Sequence, residues 1–171
     1  EEAKKQSEEQ LKPEKIWRVK LQGAGGAAFF FLVMALILAG VFKLFTAIMG
    51  ASNSFKGVLS AICYAYLGVG IVVLAVTLLS IYLKNPEDID VMNPVASNLG
   101  AILTMAGAGL PKFVTSLASF IDVFSIWRIA LLAIGCAAVT TKMKAGTAAI
   151  PHVLLYMLGA LIGSFFASMM G

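Results

Sequence analysis

The sequence predicts an all-α protein, a polytopic membrane helix bundle, on three observations. Several apolar runs are longer than the roughly 18 residues needed to cross a bilayer. The composition is 60% hydrophobic and 13% charged, with a mean hydropathy of +0.91, whereas soluble domains are nearer half apolar and a quarter charged. Most of the charge lies outside the apolar runs. The net charge of +4 suits anionic lipid headgroups. No basic patch is interleaved with aromatics on a soluble domain, so nucleic acid is not an expected partner. The expected partners are the lipid bilayer and other membrane subunits or a second copy.

Residues 1–22 form the expected extramembrane, partly helical segment. Its opposite charges stand three or four apart (Glu1, Lys4, Lys5, Glu8, Glu9, Lys12), as on a solvated helix, and Pro13 limits it. Trp17, Arg18 and Lys20 suit the headgroup zone. Residues 23–171 form the membrane domain. Its first span is 23–49, where Gly23, Gly25 and Gly26 allow close helix approach and Lys43 is near enough to the end to snorkel. GASNS is a turn in which Asn53 or Ser54 can cap the second span, 55–83. Tyr64 and Tyr66 read as packing residues, and Asn85-Pro86 stops the helix.

Residues 84–141 carry the polar positions of interest. Asp90, Asn93, Asn98, Asp122 and Arg128, with Trp127 beside the last, stand among apolar residues. A polar group in lipid is costly without a partner, so these are the candidate contact positions. Glu87, Asp88 and Asp90 read as a solvated acidic loop, because they lack the spacing of a calcium loop. Residues 95–122 are expected to be re-entrant or interfacial. Leu99 to Leu110 is too short to span, and Phe113, Leu117, Phe120 and Ile121 share a helical face. The third span is expected at 123–139. Arg128 follows Asp122 by six positions, about 9 Å along a helix and nearly opposite on its face. A direct pair is therefore not expected. Arg128 should snorkel or meet an acid from elsewhere, with Asp90 the candidate.

After a basic turn comes the last span, 147–170, with Pro151 near its start and His152 read as interfacial packing. Gly159, Gly163, Ala167 and Gly171 recur every fourth residue, a small-residue stripe suited to helix contact. Cys63 and Cys136 read as small buried apolar residues. No catalytic, metal-binding or cofactor-binding set is legible: there is no nucleophile–base motif, phosphate loop or metal-spaced pair. The expectation is a non-catalytic protein acting through helix–helix association, as an accessory or scaffold subunit of a larger membrane assembly. The alternative is a small-solute or ion transporter, or a channel-like protein, using the polar 84–128 region.

Three stretches, SFKGVLSAICYAYL (54–67), IDVMNPVASNLGAIL (89–103) and SLASFIDVFSIWRIALLAIGCAAV (116–139), carry a resemblance. In their order the chain resembles the Yip domain family, the membrane proteins named for binding Ypt/Rab GTPases, in its prokaryotic branch. The resemblance implies an all-helical, non-enzymatic protein of the prokaryotic inner membrane. Eukaryotic members have roles in vesicle traffic and membrane shaping, but their GTPase partner is not carried over. The family typically has five spans, and four full spans are visible here. The expectation is therefore a further N-terminal span in the intact protein.

Charge counting and resemblance disagree on topology. Residues 1–20 and 84–122 hold Lys4, Lys5, Lys12, Lys15, Arg18, Lys20, Lys84 and Lys112, against Lys43, Lys56, Lys142 and Lys144 in the two tight turns. The raw count puts Glu1 in the cytoplasm. The resemblance, with its missing first span, puts Glu1 and residues 84–122 on the outer face, and first-helix flanks usually dominate. The second placement is the expectation. A membrane-impermeant thiol reagent on intact cells should label Ser97→Cys and spare Thr141→Cys. The opposite pattern would reverse the topology.

Overall fold

The computed structural model describes residues 13–85 and 95–169. Within them lie six helices, and no strand longer than an isolated bridge. Helix α1 is Pro13–Ile48, α2 is Phe55–Leu83, α3 is Leu99–Met105, α4 is Lys112–Ser119, α5 is Val123–Ala138 and α6 is Ala145–Met169. The expected all-helical class therefore holds. Three helices are long and apolar enough to cross a membrane: α2, α6, and α1 over Lys20–Ile48. The finer expectation of four full spans differs at α5, an apolar helix of only 16 residues. The helix expected within residues 1–12 lies outside the described residues.

Local chemistry sets most of the helix ends. Pro13 opens α1, a position where its missing N–H is not needed. At the far end, the Gly50 N–H donates to the Ala47 carbonyl at 3.1 Å and the Ala51 N–H to the Thr46 carbonyl at 2.9 Å. This is a Schellman cap, which requires a left-handed residue, and Gly50 supplies φ +67°. Gly107 ends α3 in the same way at φ +74°, with its own N–H on Thr104 and that of Ala108 on Leu103. Ser54 caps α2, its Oγ accepting from the Gly57 N–H at 3.0 Å. Pro111 precedes α4. Pro151 is the seventh residue of α6 rather than part of its first turn, and its ring removes the N–H that would bond to the Thr147 carbonyl.

The contacts divide the chain into residues 1–37 and residues 38–171. The described part of the first unit is a stretch of α1. Its Phe29 and Phe30 are exposed, and nothing lies within 4 Å of where a Cβ on Gly23, Gly25 or Gly26 would sit. In the second unit α2 packs on α5, α5 on α6, α6 on α4, and α4 on α3. Small residues set the first of these distances: a Cβ on Gly135 of α5 would stand 3.2 Å from the Cβ of Ala61 in α2. The α3–α4 contact is tighter still. A Cβ on Gly100 would run into the Ser119 hydroxyl and come 2.5 Å from the Thr115 backbone oxygen. His152 is buried and stacked on Phe42, with centroids 5.3 Å apart and rings 7° from parallel.

Two isolated antiparallel bridges, Asn53 with Thr140 and Asn98 with Asp122, hold the two ends of α5. At the first, the Thr141 N–H donates to the Ser52 carbonyl at 2.9 Å, and the Ser52 N–H to Thr141 Oγ1 at 3.0 Å. Asn53 Nδ2 donates to Thr46 Oγ1 at 2.9 Å and to Thr140 Oγ1 at 3.4 Å. Thr46 and Thr140 in turn donate to the carbonyls of Lys43 and Cys136 at 2.8 and 2.7 Å, and the Cys136 carbonyl lies in the last turn of α5, where the helix leaves acceptors without a donor. Lys43 reaches this end as its position in the sequence suggests, its Nζ donating to the Asn53 carbonyl at 3.3 Å.

Packing at Gly100 sets up a contrast with an open glycine of α2. Gly100→Ala should cost about 1–3 kcal/mol, because the neighbour it meets is backbone. Gly68, with nothing within 4 Å of a Cβ, should tolerate alanine and gain up to about 1 kcal/mol from helix propensity. Thermal unfolding in detergent micelles measures both.

Candidate functional site

The second bridge opens onto a pocket of about 430 Å³. Its wall on α2 is Val69, Val73 and Thr77, successive positions on one helical face. Ser97 and Asn98 come from the bridge, Ser125 and Arg128 from α5, and Tyr156 from α6. Asn98 is buried and caps α3, its Oδ1 accepting from the Ala101 N–H at 2.8 Å. Asp122 caps α5, its Oδ2 accepting from the Ser125 N–H at 3.0 Å. Its other oxygen, Oδ1, accepts from the Ser97 hydroxyl at 2.6 Å. The backbones meet where the Leu99 N–H donates to the Ile121 carbonyl at 2.9 Å.

Arg128 does not reach Asp122 directly, in keeping with their spacing. Its Nη2 donates to Ser125 Oγ at 3.2 Å, and its guanidinium lies 5.1 Å from the centre of the Tyr66 ring. The face of an aromatic ring attracts a cation, so α2 positions the charge that α5 carries. Ser125 thus stands between the two charges, its N–H on the acid and its hydroxyl on the base. On the α6 side the Tyr156 hydroxyl donates to the Phe120 carbonyl at 2.6 Å, and the two rings meet edge to face.

Of the polar positions singled out in the sequence, Asn98, Asp122 and Arg128 come together at this pocket. Trp127 lies on α5 but does not line it. Asp90, the expected partner of Arg128, and Asn93 lie outside the described residues. In the helix stripe, a Cβ on Gly163 would sit 3.0 Å from the Phe120 ring, and one on Gly159 would have nothing within 4 Å. Ala167 lines a shallow second pocket with Thr104, Lys112 and Ser119, and Gly171 lies outside the described residues. Tyr66, Ser97, Ser125 and Tyr156 belong to the site without having been singled out as site residues. For Ser125 a signal was available, since it stands three residues after the capping Asp122, where a cap's backbone donor falls. Among the described residues no three His, Cys, Asp or Glu side chains are grouped so as to hold a metal ion.

The sequence profile of the Yip1 domain matches residues 7–165. The chain belongs to this family. Comparison with curated proteins and with solved structures finds no match. Membership of the Yip1 family and the long apolar helices fit a non-catalytic integral membrane protein that sits in a lipid bilayer.

The geometry separates what Asp122 does as a cap from what it does as a charge. Asp122→Ala should lower stability by about 0.5–2 kcal/mol, the usual range for a lost N-cap. Asp122→Asn keeps an acceptor for the Ser125 N–H and should recover most of that loss. Thermal unfolding of the two variants in the same detergent reads the difference.

Proposed function

We propose that this Yip1-family protein acts through helix–helix association, as an accessory or scaffold subunit of a larger assembly in a prokaryotic inner membrane. The observation that carries this reading is the uneven use of the long helices. Only 17% of the most apolar window of α2 and 22% of that of α6 is buried inside the chain. Each keeps small-residue positions open on the unburied side: Gly68 and Gly70 on α2, and Gly159 on α6. Notches of this kind let a second helix backbone approach closely. In this reading α5 is a fourth crossing, and α3 with α4 is the interfacial or re-entrant piece. The face that holds them is the outer one, and the partner is another membrane subunit or a second copy.

A transporter is the second reading, favoured by the pocket that Asp122 and Arg128 share. Solute flux in liposomes that disappears on Asp122→Ala would select it.

Association is tested at Gly159. Gly159→Leu should insert normally and leave thermal unfolding unchanged, while reducing several-fold what co-purifies in mild detergent. Gly163→Leu should instead lower the unfolding temperature, because its side chain meets Phe120 within the chain. Mass spectrometry of the purified complexes measures the first effect. An unchanged set of partners for Gly159→Leu, with no loss of self-association, would remove α6 as the contact face.

A further inference from the structure

We propose that the pocket between α2, α5 and α6 binds a zwitterionic aminophosphate group, the headgroup chemistry of an ethanolamine phospholipid. Arg128 receives the phosphate and Asp122 the ammonium.

Among the described residues the pocket holds one charge of each sign, and the two do not pair with each other. Asp122 is the N-cap of α5 and Arg128 lies six positions on, in its second turn, with Ser125 between them. A ligand of single charge would satisfy one group and leave the other opposite nothing. A ligand with both charges separated by two carbons meets each in turn. Both groups have capacity for it. Arg128 has five N–H donors and uses one on Ser125, while its guanidinium lies over the Tyr66 ring, 5.1 Å from the centroid. A planar, pre-oriented fork of donors suits phosphate oxygens. Each carboxylate oxygen of Asp122 accepts one bond, from Ser97 or from the Ser125 N–H, and has a second lone pair available.

The walls favour a lipid as the source of this headgroup. Along one face of α2 the pocket runs from Val69 and Val73 to Thr77, apolar first and then hydroxylic. Thr77 is six residues before the end of α2 at Leu83, about 9 Å along the axis. The apolar part therefore lies deeper in the helix and the polar part nearer its end, the same gradient as a phospholipid from acyl chain to headgroup. The volume of about 430 Å³ falls within the range of pockets that hold small ligands. Choline lipids offer no N–H to Asp122, and glycerol lipids offer no cation, so the pocket should rank ethanolamine above both.

The test uses the full chain, delipidated in mild detergent and incubated with equal amounts of phosphatidylethanolamine, phosphatidylcholine and phosphatidylglycerol. Bound lipid is read by native mass spectrometry. The expected result is a preference for phosphatidylethanolamine of about tenfold, the worth of one charge-assisted hydrogen bond. Arg128→Gln should lower retention of all three lipids by a similar factor. Asp122→Asn, which keeps the helix cap, should abolish the preference over phosphatidylglycerol without lowering total retention. Should Arg128→Gln fail to fold, Arg128→Lys keeps the charge but loses the fork, and should show a smaller loss. Equal retention of the three lipids by the unaltered chain would overturn the proposal, as would a preference that survives Asp122→Asn. Soluble phosphoethanolamine separates the sources. If it displaces the lipid only in large excess, the ligand is a lipid. If it binds alone as tightly as the lipid, the same chemistry is met by a free solute.

Discussion

Backbone polar groups inside a membrane must find partners within the protein, because the bilayer core offers no water. In the second unit the polar partners gather at the two ends of α5, an apolar helix of 16 residues. Its first turn is satisfied by Asp122 and its last by Thr140. Neither cap acts alone: each is part of an antiparallel bridge to a segment distant in sequence. The Asn98 bridge positions the start of α3 beside the start of α5. The Asn53 bridge joins the end of α1 to the start of α2 and to the turn before α6. The interior of α5 then needs only small residues, such as Gly135 against Ala61, to pack on its neighbour. These two polar clasps add to apolar packing in ordering the second unit.

How much of this was legible follows from what each signal measures. The second helix, Phe55–Leu83, starts at a capping serine that the sequence marks chemically. The first helix is longer than its apolar run. Hydropathy locates the part that prefers lipid, whereas the helix continues upstream to Pro13. Residues 95–122, expected to be re-entrant or interfacial with a break at Pro111, contain two short helices with the Schellman turn at Gly107 and then Pro111 between them. At the site, Asn98, Asp122 and Arg128 could be picked out because each is costly in an apolar run. Ser97 and Tyr156 could not, since a serine or tyrosine in such a run is ordinary, and Ser125 was marked only by its place three residues after Asp122. Tyr66 drew notice only as a packing residue, and its pairing with Arg128 joins two helices, which no local pattern encodes.

The glycine stripe of α6 shows how a sequence repeat and a helix face part company. A repeat of four advances about 40° per step on a helix of 3.6 residues per turn. Gly163 therefore meets Phe120 inside the chain while Gly159 is open. The buried side runs instead through His152, Ala160 and Ser164. One helix thus has a side packed within the chain and an exposed side, and positions a single turn apart fall on different sides.

The length of α5 has a consequence for the surrounding lipid. Its 16 residues measure about 24 Å, against a hydrocarbon thickness of about 30 Å. The 29 residues of α2 and 25 of α6 exceed that thickness. In the proposed arrangement, where α5 crosses, it would leave a deficit of about 6 Å. The bilayer would then have to thin beside it or bring headgroups down to Asp122, which the longer α2 and α6 do not require. A membrane deformed on one flank costs elastic energy that falls when the protein lies in a thin or highly curved patch. The shape of a single short helix would then bias where in the cell membrane the whole chain accumulates.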